Sequence, residues 1–206
     1  MPMPATPAHL RHDATILGLT GRAGAGKDTV AEYLCSVHGF ERYAFAEPIR
    51  DMATALLVAA GIDYAHLFER GLKEQPIAGL GPDAAISGRQ ILQSLGDWGR
   101  AQHPDFWVRI AARALGLHDL PNSSPVHHRI VVTDVRYPNE AAWIVALGGR
   151  IVRVLRDAAP AIRSHDSESH TATLLAWHEL DNGASKDWLY GQIDTLVQAL
   201  EDAPTS

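Results

Sequence analysis

What the chain lacks narrows its class before any motif is read. Among its 206 residues there is one cysteine, Cys35. A single cysteine excludes an internal disulfide framework of the kind that staples small secreted domains, and it excludes a cysteine-rich zinc site. No stretch approaches the ~18 consecutive apolar residues of a membrane span. The most apolar run, Met52 to Ile62, is short and alanine-rich and reads as a buried helix. Residues Met1–Asp13 are punctuated by Pro2, Pro4 and Pro7 and have no apolar centre, so they read as a disordered leader and not as a secretory signal. A cytoplasmic protein without a membrane partner is the expectation. Basic residues are outnumbered, 18 Lys and Arg against 24 Asp and Glu, for a formal charge of −6. That balance disfavours a nucleic-acid polymer as partner, because such proteins present a basic surface. It leaves room for a local basic pocket that takes a small anion. With 46% hydrophobic and 20% charged residues the chain is ordinary globular material, long enough to bury a core unaided.

What is present alternates between strand and helix. Thr15–Thr20 is short and β-rich, a glycine-rich turn follows, and Val30, Tyr33, Leu34 and Val37 then recur at helical spacing within Asp28–Val37. Phe40–Phe45 suits a second short strand. Pro48 sits well in the first turn of a helix over Ile49–Ala60. The Gly- and Pro-punctuated stretch 61–85 resists assignment. Ser87 with Gln90 forms a capping-box pair that opens a helix to about Gln102. His103-Pro104-Asp105 breaks it, and Phe106–Leu115 reads as another helix. After a loop over 117–128, Arg129–Thr133 is a buried strand ending in Asp134. Pro138–Leu147 is a helix stopped by Gly148-Gly149, Arg150–Leu155 a further strand, Asp157–His170 a polar loop, and Ser185 the N-cap of a last helix to about Leu200. Strands alternating with helices predict an α/β fold with a mainly parallel sheet and helices on both faces. The domain expectation is a leader over 1–13 and one domain over 14–206.

The strongest chemical signal is Gly21-Arg22-Ala23-Gly24-Ala25-Gly26-Lys27-Asp28. It fits G-x-x-x-x-G-K, and it stands between a predicted strand and a predicted helix, as that pattern requires. The glycines allow backbone N–H groups to turn inward around phosphate oxygens. The helix N-terminus adds partial positive charge, and Lys27 adds a mobile point charge for the terminal phosphates. The candidate phosphate-binding set is therefore Gly21, Ala23, Gly24, Ala25, Gly26, Lys27, Asp28 and Thr29. A dinucleotide loop is a poorer reading, since Gly24, Gly26 and Thr29 do not complete G-x-G-x-x-G and Lys27 would have no role. Asp28 stands where Ser or Thr is usual. It either ligates a metal, directly or through water, or only caps the helix, with Thr29 nearby as a hydroxyl.

Asp134 ends an apolar strand, the place from which a carboxylate reaches a ligand bound outside the carboxyl ends of a parallel sheet. Lys27 and Asp134 are expected at the same sheet edge. Arg136 and Glu140 follow immediately. Other cations that suit a second anion site are Arg50, Arg89, Arg100 and Arg156.

Taken in order, Gly21–Thr29, Phe45-Ala46-Glu47-Pro48-Ile49-Arg50, Arg89-Gln90-Ile91-Leu92-Gln93-Ser94-Leu95-Gly96, Trp107, Asp134-Val135-Arg136-Tyr137-Pro138-Asn139-Glu140, Gly148-Gly149, His165-Asp166-Ser167-Glu168 and Asn182-Gly183 resemble the deoxynucleoside monophosphate kinase family best known from bacteriophages, within the P-loop kinases. The likeness covers roughly residues 15–200. Arg50 stands where such kinases often have lysine, which keeps the charge and changes its geometry. The resemblance implies a three-layer P-loop fold, a helical acceptor-binding insertion over about 46–115 and a lid-like loop over about 156–170. It implies ATP and Mg²⁺ as cofactors and transfer of the γ-phosphate to a deoxynucleoside 5′-monophosphate, giving the diphosphate and ADP. It also leaves a homodimer open. On this reading Lys27, Asp134, Arg136 and Arg156 serve catalysis, Arg50, Arg89, Gln93, Trp107, Arg136 and Glu140 bind the acceptor, and Asp28 and Asp134 are metal candidates.

Competing readings stay open beside it. Arg89 and Arg100 are also what a solvated helix face carries, Trp107 and Trp98 are more often packing anchors than stacking platforms, and Glu140 suits an early-helix carboxylate. The 11 histidines are scattered and form no ligand cluster. The runner-up activity is a kinase of another phosphorylated small molecule, such as phosphomevalonate. A non-catalytic nucleotide-binding module is a third class. The Asn/Thr-Lys-x-Asp guanine motif of GTPase switches is absent, Ser185-Lys186-Asp187 not being one.

Overall fold

A computed structural model of the chain describes residues 15–69, 71–79, 86–117, 129–156, 171 and 173–202. The expected leader over 1–13, all but the first residue of the expected loop over 117–128 and all but the first residue of the expected lid over about 156–170, with His165, lie outside them. The described residues form two compact units, one built from the two ends of the chain and one from Phe45–Leu115.

The first unit is a five-stranded sheet, β1 (Thr15–Thr20), β2 (Glu41–Tyr43), β3 (Arg129–Val132), β4 (Arg150–Leu155) and β5 (His178–Asp181), in the order β2-β3-β1-β4-β5. All neighbours run parallel. β1 lies at its centre, with Gly18 opposite Val132 on one side and Ile151 on the other. Leu17, Leu19, Val131, Val152 and Leu180 pack with Val30 and Leu34 of α1 (Lys27–His38) and with Leu189 and Ile193 of α7 (Lys186–Glu201). The opposite face meets α6 (Pro138–Ala146). A Cβ added at Gly18 would lie 2.8 Å from Ile144 Cδ1 and 2.9 Å from Val135 Cγ2, so only glycine lets that layer come so close. Covering both faces explains why β1 and β3 read as continuous apolar runs and not as alternating ones. The expected parallel sheet with helices on both faces is what forms. Tyr33 of α1 stacks on Tyr190 of α7 at 4.0 Å and donates to Asp194, which also takes His38 Nε2 at 2.8 Å. Burial and the Asp194 carboxylate together push the Tyr33 hydroxyl pKa up.

β5 is the strand that sequence reading passes over. Its four residues, His-Glu-Leu-Asp, carry one buried side chain, Leu180, so no period is visible. It forms because β4 offers a free edge, with Val154 opposite Leu180.

The second unit is helical: α2 (Glu47–Ala59), α3 (Ala65–Phe68), α4 (Gly88–Gln102) and α5 (Phe106–Ala114). The Ser87–Gln90 capping box opens α4 as expected, the Ser87 amide donating to Gln90 Oε1 at 2.8 Å. Ala53, Leu57, Leu67, Ile77 and Ile91 form its core. The run Met52–Ile62 is not the buried helix its composition suggests. Only Ala53 and Leu57 are buried in it, whereas Met52, Leu56 and Val58 are exposed. Apolar residues all round a helix leave one face outward when only one side finds a partner. Among the described residues no helix is long and apolar enough to cross a membrane.

Candidate phosphate-binding site

The chain leaves the carboxyl end of β1 and turns through three glycines of positive φ, Gly21, Gly24 and Gly26 (133°, 79° and 101°), into the first turn of α1. Two of these glycines are also sterically required. A Cβ at Gly21 would overlap the Val154 carbonyl, and one at Gly26 would overlap the Asn182 amide. The turn is closed by Ala25 N–H donating to the Arg22 carbonyl at 3.2 Å and by Val30 N–H donating to Gly26 at 3.1 Å. Lys27 folds back over it, its ammonium donating to the carbonyls of Gly21 (2.7 Å) and Arg22 (2.9 Å). The arrangement concentrates backbone N–H groups, a helix N-terminus and one cation at a single crest, which is how a polypeptide binds phosphate oxygens without a dedicated side-chain cage.

Sheet topology puts an acid beside that crest. The chain order reverses between β1 and β3, and ligands of open parallel sheets bind at the carboxyl ends where this happens. Asp134 follows β3 there, and the next residue returns the chain to β1, Val135 N–H donating to the Leu19 carbonyl at 3.1 Å. Lys27 and Asp134 are thus at one sheet edge, as expected. Arg136 is half-buried, and its amide donates to Glu140 Oε2 at 2.8 Å. Glu140 is buried and also accepts from Tyr137 N–H at 3.1 Å, so its carboxylate holds the start of α6. Arg156, just past β4, is exposed. Asp28 turns to β2, where Arg42 Nη2 lies 2.5 Å from its Oδ1. Among the described residues no three His, Cys, Asp or Glu side chains converge on one point. Mg²⁺ does not need such a cage, since it is commonly held by one or two carboxylates together with substrate phosphates. Asp134 is a carboxylate at this edge, and Thr29, in the first turn of α1, carries a hydroxyl oxygen.

The acceptor candidates of the helical unit have other engagements. Arg89, in the first turn of α4, donates its backbone N–H to the Lys73 carbonyl at 2.9 Å and pairs its guanidinium with Glu74. Arg89, Gln93 and Arg100 recur at helical spacing along one stripe of α4, and Arg100 pairs with Asp97 at 2.9 Å. Arg50 is half-buried in the first turn of α2. Trp107 is 3% exposed, donates its indole N–H to the Gly96 carbonyl at 2.9 Å and packs where a Cβ at Gly99 would collide with it. The structure therefore places Trp107 inside the α4–α5 contact.

Two residues not counted in the candidate set touch the loop. Asn182 Nδ2 donates to the Ala25 carbonyl at 2.8 Å, and its own amide donates to Leu155. Its signal was the Asn182-Gly183 turn, whose strand went unseen. Arg42 reaches Asp28 across a separation of 14 residues, which no local pattern reveals. Cys35 of α1 has its thiol pKa raised by burial, an effect that the charge of Arg42 on β2 partly offsets.

No protein-family model matches the chain. A protein of Acanthamoeba polyphaga mimivirus named "Putative deoxynucleotide monophosphate kinase" is 28% identical over 193 residues, 88% of this chain and 95% of that one. "Uncharacterized protein ORF76" of Ictalurid herpesvirus 1 is 30% identical over 146 residues, 70% of this chain, and the match spans about half (49%) of that relative's length. Among solved structures, dephospho-CoA kinase from Campylobacter jejuni aligns with a TM-score of 0.47 at 16% identity, covering 91% of this chain and 97% of that one.

Proposed function

We propose that the chain is an ATP-dependent kinase that moves the γ-phosphate of ATP to a deoxynucleoside 5′-monophosphate. One observation carries the reading: a glycine loop between β1 and α1, with Lys27 drawn over its carbonyls, stands at the sheet's switch point beside Asp134. Phosphoryl transfer asks a protein for positioning and charge neutralisation more than for covalent chemistry. On this reading the loop and Lys27 hold the donor phosphates. Asp134 takes part in holding Mg²⁺, whose chemistry is to neutralise charge on the transferring group. Arg89 and Arg50 are the cations the helical unit offers an acceptor phosphate, and Arg136 and Arg156 are those the sheet unit offers the transferring group. Arginine suits the acceptor because its planar fork meets two phosphate oxygens at once. The mimivirus relative's name supports this choice of acceptor, and the match reaches nearly end to end in that protein.

The test is direct. The full chain is incubated with ATP, Mg²⁺ and each ribo- and deoxyribonucleoside monophosphate in turn, and the products are resolved. A diphosphate with stoichiometric ADP from at least one deoxynucleotide is the expected result. ADP formed only with non-nucleotide phosphorylated acceptors would move the assignment to another small-molecule kinase. Nucleotide binding without turnover on any acceptor would leave a binding module.

A further inference from the structure

We propose that Arg42 is a positioning residue for the phosphate loop, holding the Asp28 carboxylate on the β2 side of α1 so that it does not compete with bound phosphates. The inference rests on reading the loop as the donor-nucleotide site. Asp28 directly follows Lys27 in the first turn of α1. The first N–H groups of a helix lack internal partners and attract negative charge, so a carboxylate there and a ligand phosphate seek the same place. A hydroxyl residue at this position would pose no such conflict. Asp28 does, and it lies within one turn of the groups that would hold triphosphate.

Arg42 answers the conflict from another element. It comes from β2, where it lies opposite Val131, and Val131 faces the layer that contains α1. Its Nη2 is 2.5 Å from Asp28 Oδ1. The Asp28 and Arg42 side chains are 62% and 46% exposed, and exposed pairs of this kind contribute only about 0–1 kcal/mol to folding. Stability is therefore a weak explanation for an arginine aimed at the one carboxylate next to the loop lysine. Its effect falls on the local charge: the pair is neutral and turned aside, whereas an unpaired Asp28 would repel the ligand.

The experiment measures ATP affinity by calorimetry on the full chain, with and without Mg²⁺, for the wild type, Arg42→Ala, Arg42→Lys, Asp28→Thr and the Asp28→Thr/Arg42→Ala double variant. Thermal midpoints are recorded alongside. Arg42→Ala is expected to weaken ATP binding about tenfold, and more for metal-free ATP, which carries the larger charge. Arg42→Lys should retain most of the affinity. In the Asp28→Thr background the same Arg42→Ala change should cost less than about twofold, because the charge it compensates is gone. Equal losses in both backgrounds would mean that Arg42 acts on the phosphates directly. Tighter Mg²⁺ binding in Arg42→Ala would mean that Asp28 is a metal ligand released by the change. An unchanged affinity would mean that the pair is inert. Each of these overturns the inference while leaving the donor site intact. A wild-type chain that binds neither ATP nor tripolyphosphate overturns both.

Discussion

The two units make their polar groups available in opposite ways. In the sheet unit the candidate site is built largely from backbone: glycines of positive φ, a helix start and carbonyls that hold Lys27. In the helical unit every conspicuous polar feature is a side chain, and several are satisfied locally. Arg89 meets Glu74, Arg100 meets Asp97, and the Trp107 indole meets Gly96. A backbone site is fixed once its turn is made, because its donors cannot rotate away. A site of long side chains is specified only when its ligand offers more than the neighbouring acid does. The first kind can be read without a ligand, and the second cannot.

The largest effect that would sharpen this contrast belongs to Trp107. If it is packing material, Trp107→Ala opens a cavity between α4 and α5 and should cost about 3–5 kcal/mol in urea unfolding. Trp107→Phe, which keeps most of the volume and loses the indole hydrogen bond to the Gly96 carbonyl, should cost about 0.5–1.5 kcal/mol. Normal stability in both variants, with a raised acceptor KM, would place the ring in a binding pocket and break the contrast. Next in size is Lys27→Ala, which removes the cation drawn over the loop carbonyls. Turnover should fall about a hundredfold or more with the melting temperature nearly unchanged. Near-normal turnover would remove the loop from the chemistry.

A smaller effect separates backbone from side chain within the loop. Gly26→Ala places a Cβ against Asn182 at a φ of 101°, and local strain of about 1–3 kcal/mol should appear as weakened ATP binding. Adding Asn182→Ala removes the collision and leaves the dihedral penalty, so the double variant should recover only part of the loss. Full recovery would show that the steric clash alone makes glycine necessary.

Legibility in the sequence follows the same division. The parallel α/β architecture is readable because β1 and β3 are apolar runs, because Ile151, Val152, Val154 and Leu155 give β4 its β character, and because the glycine loop falls between a strand and a helix. The Ser87 and Ser185 caps were readable because a cap is a local bargain between a side chain and an N–H three residues on. β5 was not, since its pairing energy comes from a strand more than 20 residues away and one leucine is its whole core contribution. The outward face of Met52–Val58 was not, since composition cannot tell which side of an apolar helix finds a partner. Lys27, the glycines and the strand-end place of Asp134 were visible because geometry follows from chain position. Arg42 and the contact of Asn182 with the loop were not, because both depend on which strands become neighbours.

The smallest effect concerns Arg89 and its acid. The Arg89–Glu74 pair is 34% and 57% exposed, so its contribution to folding is about 0–1 kcal/mol and either residue can be changed without unfolding the unit. If Arg89 binds the acceptor phosphate, Glu74 is its internal competitor. Arg89→Ala should then lower kcat/KM for the monophosphate about tenfold with ATP affinity unchanged, the loss expected for one charge-assisted contact to an anion. Glu74→Gln should do the reverse on a smaller scale, lowering the acceptor KM about two- to threefold, because the guanidinium no longer has to leave a carboxylate to reach phosphate. The sign of the Glu74→Gln effect decides the matter. A raised KM would mean that Glu74 holds Arg89 in its working orientation. No change in either variant would make the pair a solvated feature of the helix face, and Arg50 and Arg136 would then have to supply the acceptor's charge.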